Sequence, residues 1–258
     1  MTDTDSIATT RRKNGVIPAY DQCLLEDVGS RWRDGREPLF WKDRLMRATG
    51  RVHPAEHGSV AVEQFKVEKK DQIGQIGSFF SSGRMCPPGT YTRLLERSPK
   101  PDGTGFWSTL WMSDTPDELC DQWWALDDAR GRVLVNGLGL GCTVFGMLSM
   151  RWQKIGDKWN ENGTGQLQVK HIDVVEKSHD VIELIGPYLP EDRVTIHEGD
   201  ALTFQWPKGT RWDFAWHDIW PDLCVDYLAE SYATLHRRYG RRVTKQKSWG
   251  FKYLQSRR

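Results

Sequence analysis

Residues 131–148, GRVLVNGLGLGCTVFGML, read as a strand, a tight glycine turn and the start of a helix. Arg132 to Val135 form a short apolar, β-branched run of the kind a covered parallel strand needs. Gly137, Gly139 and Gly141 stand at alternate positions, and Cys142 to Leu148 continue with small and apolar residues that suit a packed helix. Such a unit brings backbone N–H groups close to a ligand and aims a helix N-terminus at it, which makes a nucleotide site. The spacing narrows the class. A dinucleotide fingerprint places its third glycine three positions after the second, and Cys142 stands there instead.

The elements downstream extend the pattern. Lys170 to Val175 is a second apolar, β-rich run with Glu176 directly after it. Dinucleotide domains place this acid ~20 residues beyond the glycines, and here the gap is nearly doubled. The excess lies in residues 151–168, which carry Gly156, Asn160, Asn162, Gly163 and Gly165 and read as an inserted surface loop. Residues 178–188 show helix signals: Ser178 as N-cap, Asp180 in the first turn where it serves the helix dipole, and Pro187 near the end. Arg193 to His197 and Trp212 to His217 are two further strands, followed by Glu198-Gly199-Asp200-Ala201 and Asp218-Ile219-Trp220-Pro221.

With these four motifs in order, the chain resembles the class I S-adenosylmethionine-dependent methyltransferases, particularly their spermidine synthase-like branch, over about residues 110–239. A fainter likeness is to methyltransferase-like proteins from phages of actinobacteria. The resemblance implies a Rossmann-like α/β fold with an abbreviated C-terminal half, because fewer residues follow the helix at 222–239 than three further strands require. It implies S-adenosyl-L-methionine as cofactor, held by Asn136, Gly137, Leu138, Gly139, Gly141, Glu176, Lys177, Asp200 and Ala201, with Glu176 on the ribose hydroxyls and Asp200 on the adenine amino group. Asp218 is the candidate catalytic residue, with three roles open to it: orienting the acceptor, taking its proton, or only facing the methionine end of the cofactor. Trp220 and Pro221 are the candidate acceptor contacts. His217 reads as a strand-end core residue and Cys142 as helix packing.

The departures bear on the acceptor. Aminopropyltransferases carry an acid within the glycine turn, where this chain has Leu140, and a second acid before the proline of the fourth motif, which is missing here. A cationic diamine needs carboxylates to hold and deprotonate it, and with these two missing, aminopropyl transfer stands as the alternative behind methyl transfer. A non-catalytic nucleotide or nucleic-acid binding protein is another. The tetrapeptide of base amino-methyltransferases and the Pro-Cys of cytosine C5 enzymes are both absent.

Composition and charge frame these readings. The 258 residues, 38% hydrophobic, suffice for one full domain and a smaller one. No run approaches the ~20 apolar residues of a membrane span, and the first residues lack an apolar signal core. Five scattered cysteines without a CxxC pair suit reduced thiols in a cytoplasm and argue against a metal knuckle. Residues 237–258 hold six arginines, three lysines and four aromatic residues but no acid. Basic groups for phosphates and rings for stacking leave nucleic acid as one candidate acceptor. The expected organisation is a disordered tail over 1–25, a small mixed, β-rich domain or lid over 26–120, the cofactor-binding domain over 121–240 and a basic aromatic tail over 241–258. The acceptor itself and the oligomeric state are not legible.

Overall fold

Four antiparallel strands, β1 (Ala55–His57), β2 (Val60–Val67), β3 (Gly89–Pro99) and β4 (Phe106–Ser113), form one sheet in that spatial order. The computed structural model describes residues 44–68, 70–71, 86, 88–155, 158–160, 166–220 and 225–250, so the tail expected over 1–25 and the final residues 251–258 lie outside the described residues. Helix α1 (Pro116–Asp128) follows, opened by a proline whose missing N–H costs nothing in the first turn. Next come β5 (Gly131–Asn136), α2 (Cys142–Ser149), β6 (Arg151–Ile155), β7 (Lys158–Asn160) and β8 (Gln166–Leu167). The chain then runs through β9 (Val169–Glu176), α3 (His179–Ile185), β10 (Val194–Glu198), β11 (Trp212–His217), α4 (Val225–Tyr239) and β12 (Val243–Ser248).

β5, β9, β10, β11 and β12 make a wholly parallel sheet in the order β10-β9-β5-β11-β12. Val133–Val135, Val174, Phe214 and Trp216 are buried within it, as a sheet covered on both faces requires. One face packs with α2, α3 and the antiparallel sheet in a single core that runs from Val60 and Leu94 to Val133, Leu184 and Phe214. The other face packs Leu134, Ala215 and Trp212 against Leu235 and Tyr239 of α4. Packing is therefore continuous across the boundary expected near residue 120.

Two expectations are corrected. The insertion at 151–168 is not a plain loop: β6 pairs antiparallel with β7 and β8, in keeping with the β-favouring Trp and Ile among its polar residues. The basic tail begins as a strand, because Val243–Ser248 pairs in parallel with β11. Lysine at alternate positions suits a sheet edge, and Lys245 and Lys247 reach Asp128 of α1 at 2.6 and 2.5 Å. Of the three strands the resemblance implies after α4, the described residues supply this one. Ser178 caps α3 as expected, accepting from Val181 N. Asp180 does more than face the dipole: it accepts from Ser59 N at 2.9 Å and bonds His57 Nδ1 at 2.9 Å, tying α3 to the β1–β2 turn.

A candidate active site at the carboxyl edge of the parallel sheet

All five parallel strands end on one cavity of about 430 Å3. Its floor is residues 137–139 after β5, 176–178 after β9, 199–202 after β10, 218–220 after β11 and Trp249 after β12. Leu94 and Glu96 of β3, Trp111 and Met112 of β4, and Glu118, Asp121 and Gln122 of α1 form a wall above it, and Cys142 and Thr143 of α2, Val175 of β9 and Val181 of α3 also line it. The order of the sheet reverses between β5 and β11, the switch point where open α/β sheets leave a crevice for ligands.

The glycine turn is shaped by what crowds it. Gly137 has φ +93°, and a Cβ there would overlap the carbonyl oxygen of Asp218, so the ends of β5 and β11 meet backbone to backbone. Gly139 has φ +52°, and its open side is taken by the Met112 thioether, which also accepts from Leu140 N at 3.0 Å. Glu176 accepts from Leu138 N at 2.7 Å and from Ser178 N at 2.8 Å. Its carboxylate thus staples the glycine turn to the β9–α3 turn while it lines the cavity with its remaining lone pairs. Asp200 accepts from Leu202 N at 2.8 Å and from Lys177 Nζ at 3.1 Å. Burial raises its carboxyl, but those two donors outweigh burial and hold it below the ordinary carboxylate value.

Asp218 lines the cavity directly after β11 and is half-buried. Burial pushes it up to about 7, helped by the charges of Asp121 and Glu118 and opposed by the Trp216 indole. His217, next to it, is fully buried beneath the floor: its Nδ1 accepts from Asn136 Nδ2 at 2.7 Å and its Nε2 faces Gln246 Oε1 at 3.0 Å. Burial drops the imidazole to about 3, so it is a neutral structural pin, as the sequence reading held.

Of the expected site residues, Gly137, Leu138, Gly139, Glu176, Lys177, Asp200, Ala201, Asp218 and Trp220 line one cavity. Asn136 and Gly141 do not. Asn136 turns into the sheet to reach His217, and Gly141 caps α2, facing Ile185 and Phe145. Pro221 lies outside the described residues. Trp220 donates its indole N–H to Ser231 Oγ of α4 at 2.6 Å, which fixes the ring in the wall.

No family model matches the chain, and no curated protein matches it. Among solved structures, it is similar to an S-adenosylmethionine-bound amino pentose methyltransferase from Micromonospora echinaspora involved in calicheamicin biosynthesis, with 22% identity and a TM-score of 0.25. That match covers 37% of this chain and 31% of the other. It is also similar to an S-adenosylmethionine-dependent methyltransferase from Mesorhizobium loti, with 16% identity and a TM-score of 0.30 over 46% of this chain and 47% of that one. The matches thus span less than half the length of either protein.

Sequence reasoning missed the wall above the sheet. Trp111, Met112, Glu118, Asp121 and Gln122 all precede the first motif and have no fixed spacing to its glycines. Glu118 and Asp121 share a face of α1 by their i, i+3 spacing, a clue the sequence did contain. Trp249 was read only as a stacking ring of the basic tail. It lines the cavity because β12 carries it to the sheet's carboxyl edge, where its backbone N–H donates to His217 O at 2.9 Å.

Proposed function

We propose that the chain is an S-adenosylmethionine-dependent methyltransferase. The observation that carries this reading is the convergence of the glycine turn, Glu176 and Asp200 on one cavity at the switch point of a parallel sheet. A backbone cradle at Gly137 and Gly139, a strand-end carboxylate for vicinal hydroxyls and a second acid one strand further suit the methionine, ribose and adenine parts of that cofactor. When bound, the sulfonium supplies an already activated methyl group. The protein then has to hold the acceptor in line and exclude water, which demands few catalytic side chains. Asp218 is the group at hand to take a proton, since a carboxyl held near neutrality can be ionised before the step and protonated after it.

Nucleic acid gains no support as acceptor from the described part of the basic tail. Lys245 and Lys247 are ion-paired with Asp128. Arg238 donates to Phe204 O and Arg242 to Pro207 O, so these guanidinium groups close loops of the domain itself. The test is calorimetry of the full chain with S-adenosylhomocysteine, beside mass spectrometry of whatever nucleotide copurifies. Micromolar binding of S-adenosylhomocysteine supports the reading. An adenine dinucleotide in its place refutes it, and a decarboxylated S-adenosyl species would put aminopropyl transfer ahead of methyl transfer.

A further inference from the structure

Helix α2 starts at the glycine turn, and Cys142 and Thr143 of its first turn border the cavity. The first N–H groups of a helix have no partner within it. Gly141 caps α2 without a side chain to offer them, and among the described residues no group accepts from the N–H of Cys142, Thr143 or Val144. Gln122 of α1 reaches the same corner. Its Oε1 accepts from Thr143 Oγ1 at 2.7 Å, and the two residues are only 5% and 7% exposed. That bond fixes the amide and turns Nε2, with its two N–H donors, away from Thr143. Nε2 has no partner among the described residues and is not sealed off in protein, so it opens on the cavity that Gln122 lines. The acids nearby on α1 are engaged elsewhere: Glu118 accepts from Ser113 N, and Asp121 has a partner of its own.

We propose that Gln122 Nε2 and the N-terminus of α2 form a carboxylate site, which selects S-adenosylmethionine over its decarboxylated form; the inference deepens the methyl-transfer reading above and rests on it. Asp200, Glu176 and the glycine turn follow one another along the sheet edge, after β10, β9 and β5. The covalent order of the donor is the same: adenine, ribose, amino acid. Its amino-acid end therefore comes to the glycine turn, where α2 begins. An anion there gains from the helix dipole and from N–H groups already oriented. A hydrogen bond to an ionised acceptor is about twice as strong as one between neutral groups. Thr143 holds the Gln122 amide in place beforehand, which keeps the ordering cost of the contact small. An aminopropyl donor carries hydrogen where the carboxylate stands, and it would leave Gln122 Nε2 without an acceptor inside the wall.

Gln122 is thus a residue of donor specificity, apart from Asp218 and its proton. S-Adenosylhomocysteine, the by-product of methyl transfer, keeps the same carboxylate and hence the same contact. Leu140 N is not part of the site, because the Met112 sulfur already accepts from it.

The test is calorimetry of the full chain with two matched thioethers, S-adenosylhomocysteine and decarboxylated S-adenosylhomocysteine. The carboxylated thioether is expected to bind more tightly by about tenfold or more. Gln122→Ala should weaken S-adenosylhomocysteine by about tenfold and leave the decarboxylated thioether unchanged. Gln122→Glu keeps the side-chain length and an oxygen for Thr143 but places an anion where the donor stood, so it should reverse the preference. Damage to the fold would weaken both thioethers alike, so the ratio of the two affinities reads the contact and not the packing. Equal affinities in the wild type, or a preference that survives both substitutions, overturns the carboxylate site and leaves the methyl-transfer reading standing. Tighter binding of the decarboxylated thioether, or binding of neither, overturns that reading and the site with it.

Discussion

Replacing Asp218 by Asn should stabilise the ligand-free protein most above about pH 7, less in mild acid, and not at all below the ordinary carboxylate value of 3.8. The Asp218 carboxyl is raised from its ordinary 3.8 to about 7, chiefly by burial, with Asp121 and Glu118 adding to it. Between those two values the folded state holds the proton and the unfolded state has released it. Stability therefore falls as pH rises through that window and levels off above about 7. Each tenfold of proton affinity is worth about 1.4 kcal/mol, which sets an upper limit of about 4 kcal/mol for the penalty. Water in the cavity screens the charge, so about 2 kcal/mol is the expected figure. The neutral amide escapes this penalty. The assay is urea unfolding of both proteins from about pH 3.5 to about pH 9. With a denaturant slope of about 3 kcal/mol/M, the midpoint of Asp218→Asn should exceed that of the wild type by roughly 0.7 M at about pH 8.5, with the excess shrinking through the window and vanishing at its lower end, 3.8. Taking the difference between the two proteins cancels the other titrating groups. Parallel curves across the whole range would refute the assignment of a destabilising ionised carboxylate.

Three further outcomes are expected. Glu176→Gln loses one of two charge-assisted bonds to Leu138 N and Ser178 N, worth about 2 kcal/mol, and the melting temperature should fall by about 4–8 °C; an unshifted transition would remove its stapling role. Gly137→Ala meets both a positive φ and the Asp218 carbonyl, so it should cost at least about 3 kcal/mol and yield little folded protein, measurable as soluble yield and by circular dichroism. Asp128→Asn weakens the ion pairs to Lys245 and Lys247 by about 1 kcal/mol. Burial raises the Asp128 carboxyl, but the two lysines outweigh burial and depress it, so this stabilisation is present above the ordinary 3.8 and fades as pH drops through the lower folded value. Unfolding midpoints at pH 7 and pH 3, each at low and high salt, check it.

The parallel core of the fold was legible in local signals. β11 begins and ends where the sequence placed it, and β5, β9 and β10 differ from the reading by only a residue or two at their ends, because a strand covered on both faces must be apolar along its length. The glycine turn was legible for a related reason: Gly137 and Gly139 hold positive φ values that L side chains resist. β12 was hidden. Its Val-Thr-Lys-Gln-Lys-Ser carries charge at alternate positions, and only the neighbouring β11 on one side and Asp128 on the other give that pattern a place.

What the sequence by itself determined is the strand-end floor of the cavity, since the glycines, Glu176, Asp200 and Asp218 each stand at or just after the end of a strand whose hydrophobicity announces it. Parallel pairing brings such strand ends together whatever the loops between them. The wall above it was decided by tertiary structure alone. Trp111 lies on a strand whose first residues are exposed, Asp121 on an amphipathic helix, and Trp249 beyond a charged edge strand. None has a fixed spacing to the glycine motif, and they meet only because the antiparallel sheet and α1 fold back over the carboxyl edge. The second duty of Glu176 was equally invisible, for a carboxylate within reach of two turn N–H groups is a fact about distance in space and not about order along the chain.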